Sequence, residues 1–143
     1  PFPCFLNTVV FMCSGSYDES VRIWDLRNLR DPLSTIPTGG GLWRLKWHPN
    51  PERSELLLAA CMHAGVRVLN AGMGAKGMVP GDVACSEVSV TEGGAGAVVA
   101  KYTRHESMAY GVDWCRLGEA IGSPHPLIAS CSFYDRLLCL WRS

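Results

Sequence analysis

One twelve-residue pattern occurs three times in this chain, and it limits what the chain can fold into more than any bulk property does. "SGSYDESVRIWD" (Ser14–Asp25) reads as the end of an apolar strand, a tight turn and a second strand closing on Trp-Asp. Asp18 supplies the turn chemistry, and Val21, Arg22 and Ile23 alternate with a period of two. "AACMHAGVRVLN" (Ala59–Asn70) aligns with it without a gap, placing His63 on Asp18 and Leu69 on Trp24. "SCSFYDRLLCLW" (Ser130–Trp141) aligns after one extra residue, placing Asp135 on Asp18 and Trp141 on Trp24. A further strand precedes each of the last two hairpins. "GLWRLKWHP" and "AYGVDWCR" superpose Trp43 on Tyr110, Leu45 on Val112 and Trp47 on Trp114. A single hairpin cannot bury its apolar face, so repeated hairpins must stack on one another.

The spacing fixes the kind of stack. Forty-five positions separate Trp24 from Leu69, within the roughly 40–45 of a WD40 repeat, a four-stranded propeller blade. Leu69 and Trp141 lie 72 positions apart, and the excess falls in the Gly/Ala-rich stretch after Asn70. The expected fold is therefore all-β, a WD40-type β-propeller present as an incomplete fragment of about two and a half blades. Residues 1–30 read as a partial blade without its innermost strand, and 35–70 as a blade. Residues 71–98 read as a flexible insertion, with only "VVAKY" recovering strand character. Residues 99–143 read as a last blade lacking its outer strand.

Composition removes several classes of function. Thirteen basic and thirteen acidic residues cancel, so the chain lacks the footprint of a protein that binds nucleic acid or an anionic membrane. No apolar run approaches the roughly 20 residues that span a bilayer. The opening "PFPCFLNTVV" has neither an initiating methionine nor the pattern of a signal peptide, so a piece of a longer protein is expected. The seven cysteines form no C-x-x-C pair. Cys13, Cys61, Cys131 and Cys139 lie in strand-like runs, where buried reduced thiols are expected, and with them an intracellular protein. Neither a metal site nor a cofactor is expected.

Four polar residues recur in places that a blade explains. His105, Ser130, Asp135 and Trp141 sit before the first strand, on the second, in the turn and on the third. They can form one buried hydrogen-bonded set, which is structural wiring rather than a catalytic triad. The middle unit departs from this set. It carries Thr38 at the place of His105 and His63 at the place of Asp135.

Longer phrases carry a more specific resemblance. "GGGLWRLKWHP" (Gly39–Pro49), "LLLAACMHAGVRVLN" (Leu56–Asn70), "MAYGVDW" (Met108–Trp114) and "LIASCSFYDRLLCLW" (Leu127–Trp141) together resemble the C-terminal blades of the WD-repeat diphthine methylesterases. The resemblance implies a cytoplasmic carboxylic-ester hydrolase of the diphthamide pathway. Its substrate would be the methyl ester of methylated diphthine on translation elongation factor 2, a protein partner. The alternatives are a non-catalytic WD-repeat interaction scaffold and an inactive truncated product, since fold alone does not fix function.

With that reaction in view, three residues become candidates. His63 puts an imidazole where the structural role wants a carboxylate, and is the candidate catalytic general base. Cys61, two residues earlier, is a conceivable nucleophile that reads more simply as core. Trp43 and Tyr110 begin equivalent inner strands and are the candidate substrate-binding pair. Their faces would hold the trimethylammonium group that methylated diphthine bears. The plainer alternatives are a His63 that bonds Thr38 and caps its turn, and aromatic rings that merely pack between blades.

Overall fold

The computed structural model describes residues 2–5, 10–72, 88–90, 96–118 and 122–143. Strands β1 (Phe2–Phe5), β2 (Phe11–Gly15), β3 (Ser20–Asp25) and β4 (Ser34–Pro37) form a first antiparallel sheet in that order. The second sheet contains β5 (Arg44–Trp47), β6 (Leu56–Ala60), β7 (Val66–Asn70), β8 (Val88–Val90) and β9 (Ala97–Tyr102), with spatial order β5-β6-β7-β9-β8. The third sheet is β10 (Ala109–Trp114), β11 (Leu127–Ser132) and β12 (Leu138–Arg142). Each is antiparallel with neighbouring strands in chain order, as in a propeller blade, except that β8 lies outside β9 in the second, and the chain is part of a WD-type β-propeller. No helix among the described residues is long and apolar enough to cross a membrane.

Three expectations about boundaries change. The first unit does have an innermost strand, because Phe2–Phe5 pairs antiparallel with β2 and sets Cys4 opposite Cys13. Pro3 is compatible with this place, since β1 is an edge strand and one side of its backbone has no ladder to supply. Secondly, the blades are offset by one strand from the sequence units. Ser34–Pro37 pairs with β3 and closes the first blade, and Ala97–Tyr102 pairs with β7 and closes the second. "VVAKY" thus belongs to the middle blade, which leaves three strands in the last one. Thirdly, Val88–Val90 adds an outer strand on β9 within the stretch expected to be irregular. The rest of that insertion, 73–87 and 91–95, lies outside the described residues.

Why "LLLAAC" lacks alternation is explained by position. On β6, Leu57, Ala59 and then Cys61 pack toward the first sheet, with Val21, Ile23, Ile36 and Leu69. Leu58 and Ala60 pack toward the third sheet, with Val68, Val112, Trp114, Ile128 and Trp141. A sheet covered on both faces needs apolar residues at every position. The third sheet is covered on one face only among the described residues. There Leu138 and Leu140 are exposed, and so is Cys131, which departs from its expected burial. Cys13 and Cys61 are buried, and Cys139 is half-buried.

Between the second and third blades, the His48 ring meets Trp114 edge-on at 4.7 Å, and its Nδ1 accepts the Asn50 N–H at 3.1 Å. Burial, helped by the nearby Arg53 guanidinium, lowers its pKa to about 4. An unfolded chain binds this proton near pH 6.5, so folding stability should fall as pH drops from about 6.5 to about 4 and level off below. After allowance for partial solvent screening, the loss should be about 1–2 kcal/mol. Urea unfolding at pH 7 and pH 4.5 checks this: His48→Asn, which keeps an acceptor for Asn50, should lose that part of the slope.

Candidate active site at the propeller rim

In the last blade the polar set is wired as expected. His105 Nε2 lies 2.9 Å from Ser130 Oγ, and Nδ1 lies 3.1 Å from Asp135 Oδ2. Trp141 donates its indole N–H to the same serine at 3.1 Å and stacks on Tyr102 at 4.5 Å. Burial alone would raise the Asp135 carboxyl. The Leu137 N–H and the His105 ring outweigh it and hold the group below its usual range. The first blade keeps one of these bonds, from Trp24 Nε1 to Ser14 Oγ at 2.8 Å.

The middle blade has replaced all four members. The strand registers put Ala59 where Ser130 stands and Leu69 where Trp141 stands, and both side chains are fully buried. With no hydroxyl or indole at those two places, His63 lacks the buried partners that the last blade supplies. Its side chain is 64% exposed, and the charged group facing it is Glu19, with Nε2 and Oε1 at 3.9 Å. Thr38 does not bond His63. Its hydroxyl lies 2.9 Å from the Glu19 carbonyl oxygen and 3.1 Å from that of Gly40. An imidazole released from structural duty and open to solvent can take a proton from water.

Cys61 offers no comparable chemistry. Its side chain is fully buried, and burial pushes the thiol pKa up to about 12. The thiolate that attack requires is therefore absent near neutral pH.

Trp43 and Tyr110 meet on this rim, edge to face, with ring centroids 5.2 Å apart. Backbone contacts between blades bring them there. The Leu42 N–H donates to Ser16 O, and the Ala109 N–H donates to Met62 O, each at 3.0 Å. Each turn thus lies against the start of the next inner strand, and the His63 turn adjoins Tyr110. The three glycines before Leu42 fit this crossing: Gly39 takes φ +76°, and a Cβ on Gly40 would run into the Cys61 carbonyl. A depression of about 400 Å³ opens beside the rings, lined by Trp43, Arg44, Tyr110, Asp113 and Leu138 among others.

The aromatic array is larger than the sequence suggests. Tyr134 lies 6.0 Å from Tyr110, Phe133 lies 5.3 Å from Tyr134, and both are exposed. Partial burial raises the Tyr110 phenol, and the neighbouring Tyr134 and Tyr17 raise it further. A signal was present, since a tyrosine precedes the turn aspartate in both outer units (Tyr17-Asp18 and Tyr134-Asp135). Among the described residues no three His, Cys, Asp or Glu side chains converge as a metal site.

Comparison with known proteins agrees with the WD-repeat fold. Residues 4–25 match the WD domain, G-beta repeat family. The chain is 39% identical over 103 residues to the Homo sapiens protein named diphthine methyltransferase, covering 72% of this chain and 19% of that one. It is 41% identical to the Mus musculus protein of the same name, over 72% of this chain and 18% of the relative. Against the Dictyostelium discoideum protein named diphthine methyltransferase homolog it is 36% identical over 131 residues, 89% of this chain and 30% of that one. The chain thus spans about a fifth to a third of the length of these relatives.

Proposed function

We propose, from the premise that this chain is a WD-repeat relative of the proteins named diphthine methyltransferase, that it serves diphthamide biosynthesis by ester hydrolysis. The substrate is the methyl ester of methylated diphthine on translation elongation factor 2, in the cytoplasm. Water adds to the ester carbonyl as His63 takes its proton. Collapse of the tetrahedral intermediate expels methoxide, which gains a proton and leaves as methanol, and diphthine keeps the carboxylate. Trp43 and Tyr110 hold the trimethylammonium group, and no cofactor, nucleic acid or membrane takes part. The observation that carries this reading is the juxtaposition on one rim of an imidazole freed from blade wiring and two edge-to-face aromatic rings.

The relatives' name denotes methyl transfer, and a WD blade also suits a protein-interaction scaffold. One assay separates the three. The intact protein, given the methyl-ester form of its substrate in water, should release methanol without any methyl donor. Gain of methyl label from a donor would favour transfer, and binding without turnover would favour the scaffold.

The aromatic pair has its own test. Trp43→Ala should weaken substrate binding by about 0.5–2 kcal/mol through loss of one cation–π contact. That loss should be confined to an ester bearing the trimethylammonium group. An equal loss with a neutral isostere would reduce Trp43 to a packing residue.

A further inference from the structure

We propose that Glu19 is the positioning residue for His63, a carboxylate lent by one blade to an imidazole on the next. The inference rests on the reading of His63 as the general base. In the first blade's turn, the other acid is engaged: Asp18 pairs with Arg22 at 2.7 Å and accepts the Ser20 N–H at 3.3 Å. Glu19 faces the other way, with Oε1 3.9 Å from His63 Nε2 across the blade boundary.

The backbone beneath it is held for that direction. Glu19 sits at φ +61°, a left-handed conformation that a side chain with a Cβ adopts at some strain. Its carbonyl is gripped twice by Thr38, by the backbone N–H and by the hydroxyl, each at 2.9 Å. Arg136 occupies the same turn position in the last blade, at φ +57°, so the backbone shape recurs in the two outer blades. The carboxylate at that position belongs to the first blade, next to the blade that carries the exposed imidazole. Thr38 stands where the wired unit has His105, so the exchange that frees His63 also supplies the clamp on Glu19.

The separation is longer than a hydrogen bond, and a small side-chain rotation closes it when substrate covers the rim. A carboxylate accepting Nε2–H fixes the tautomer that leaves Nδ1 as the proton acceptor, and stabilises the imidazolium that forms.

The test uses the intact protein and methyl-ester turnover, with His63→Ala as reference. Glu19→Gln should lower kcat by roughly 10-fold with KM little changed. Glu19→Gly, which relieves the left-handed backbone, should raise the melting temperature while losing the same turnover. A purely structural glutamate would not move the two in opposite directions. Thr38→Val should lower kcat, and Thr38→Ser should restore it. Normal kcat in Glu19→Gln beside an inactive His63→Ala would overturn the role of Glu19 and leave the proposed reaction standing. Normal kcat in His63→Ala would remove the base itself.

Discussion

Replacing His63 by Ala in the intact protein is expected to cut methyl-ester hydrolysis by roughly 10²-fold while leaving the fold unchanged. The two halves of that expectation have separate grounds. The fold should survive because the His63 side chain is largely exposed and bonds nothing in the core. Its turn is closed by backbone bonds, Cys61 N–H to Gly65 O at 2.8 Å and Gly65 N–H to Met62 O at 3.0 Å, which Ala leaves intact. Turnover should fall because Cys61, the nearby alternative, is a buried thiol with a pKa near 12 and cannot replace the lost base. Unfolding curves and methanol release, measured on the same sample, decide the matter. Full turnover in a folded His63→Ala protein returns His63 to the status of a turn residue and strengthens the scaffold reading.

Much of the architecture was legible because blades repeat. The period-two pattern of Val21, Arg22 and Ile23, recurring at Val66 and again before Trp141, sufficed to place three hairpins. Boundaries were harder for a physical reason. A strand's own residues do not say which neighbour it bonds, so Ser34–Pro37 and Ala97–Tyr102 looked like starts of the following units rather than closures of the preceding blades. "PFPCF" has no counterpart in the other units, so its pairing with β2 as an edge strand could not be read from the repeat. At the rim, Trp43 and Tyr110 could be paired from their repeat positions. Tyr134 was legible only from its recurrence as Tyr17 before the turn aspartate, and Phe133 has no such counterpart. Glu19 was passed over because a left-handed backbone and a partner on another blade leave no trace in local pattern.

His105→Ala should behave oppositely to His63→Ala, with stability falling by about 1–3 kcal/mol and the folded fraction keeping its turnover. The His105 side chain is fully buried, and its two ring nitrogens reach Ser130 and Asp135 at once. Removing it leaves a hydroxyl and a carboxylate without their shared partner in a site that water enters poorly, where unmade hydrogen bonds are expensive. Trp141 would then bond a serine that has lost its other neighbour, so the damage should spread to the stack on Tyr102 and the seam between the last two blades. Asp135→Ala should destabilise in the same direction, and the double variant should lose less than the sum, because both changes break one network. Urea unfolding of the two single variants and the double variant measures that coupling. The middle blade shows that the set can be replaced as a whole, since Ala59 and Leu69 fill the same places without polar groups. Removing one member of a buried set costs more than exchanging the set for apolar groups, because the remaining partners stay desolvated and unpaired. A His105→Ala protein that unfolds normally but fails to release methanol would move His105, Ser130 and Asp135 out of the scaffold and into the chemistry.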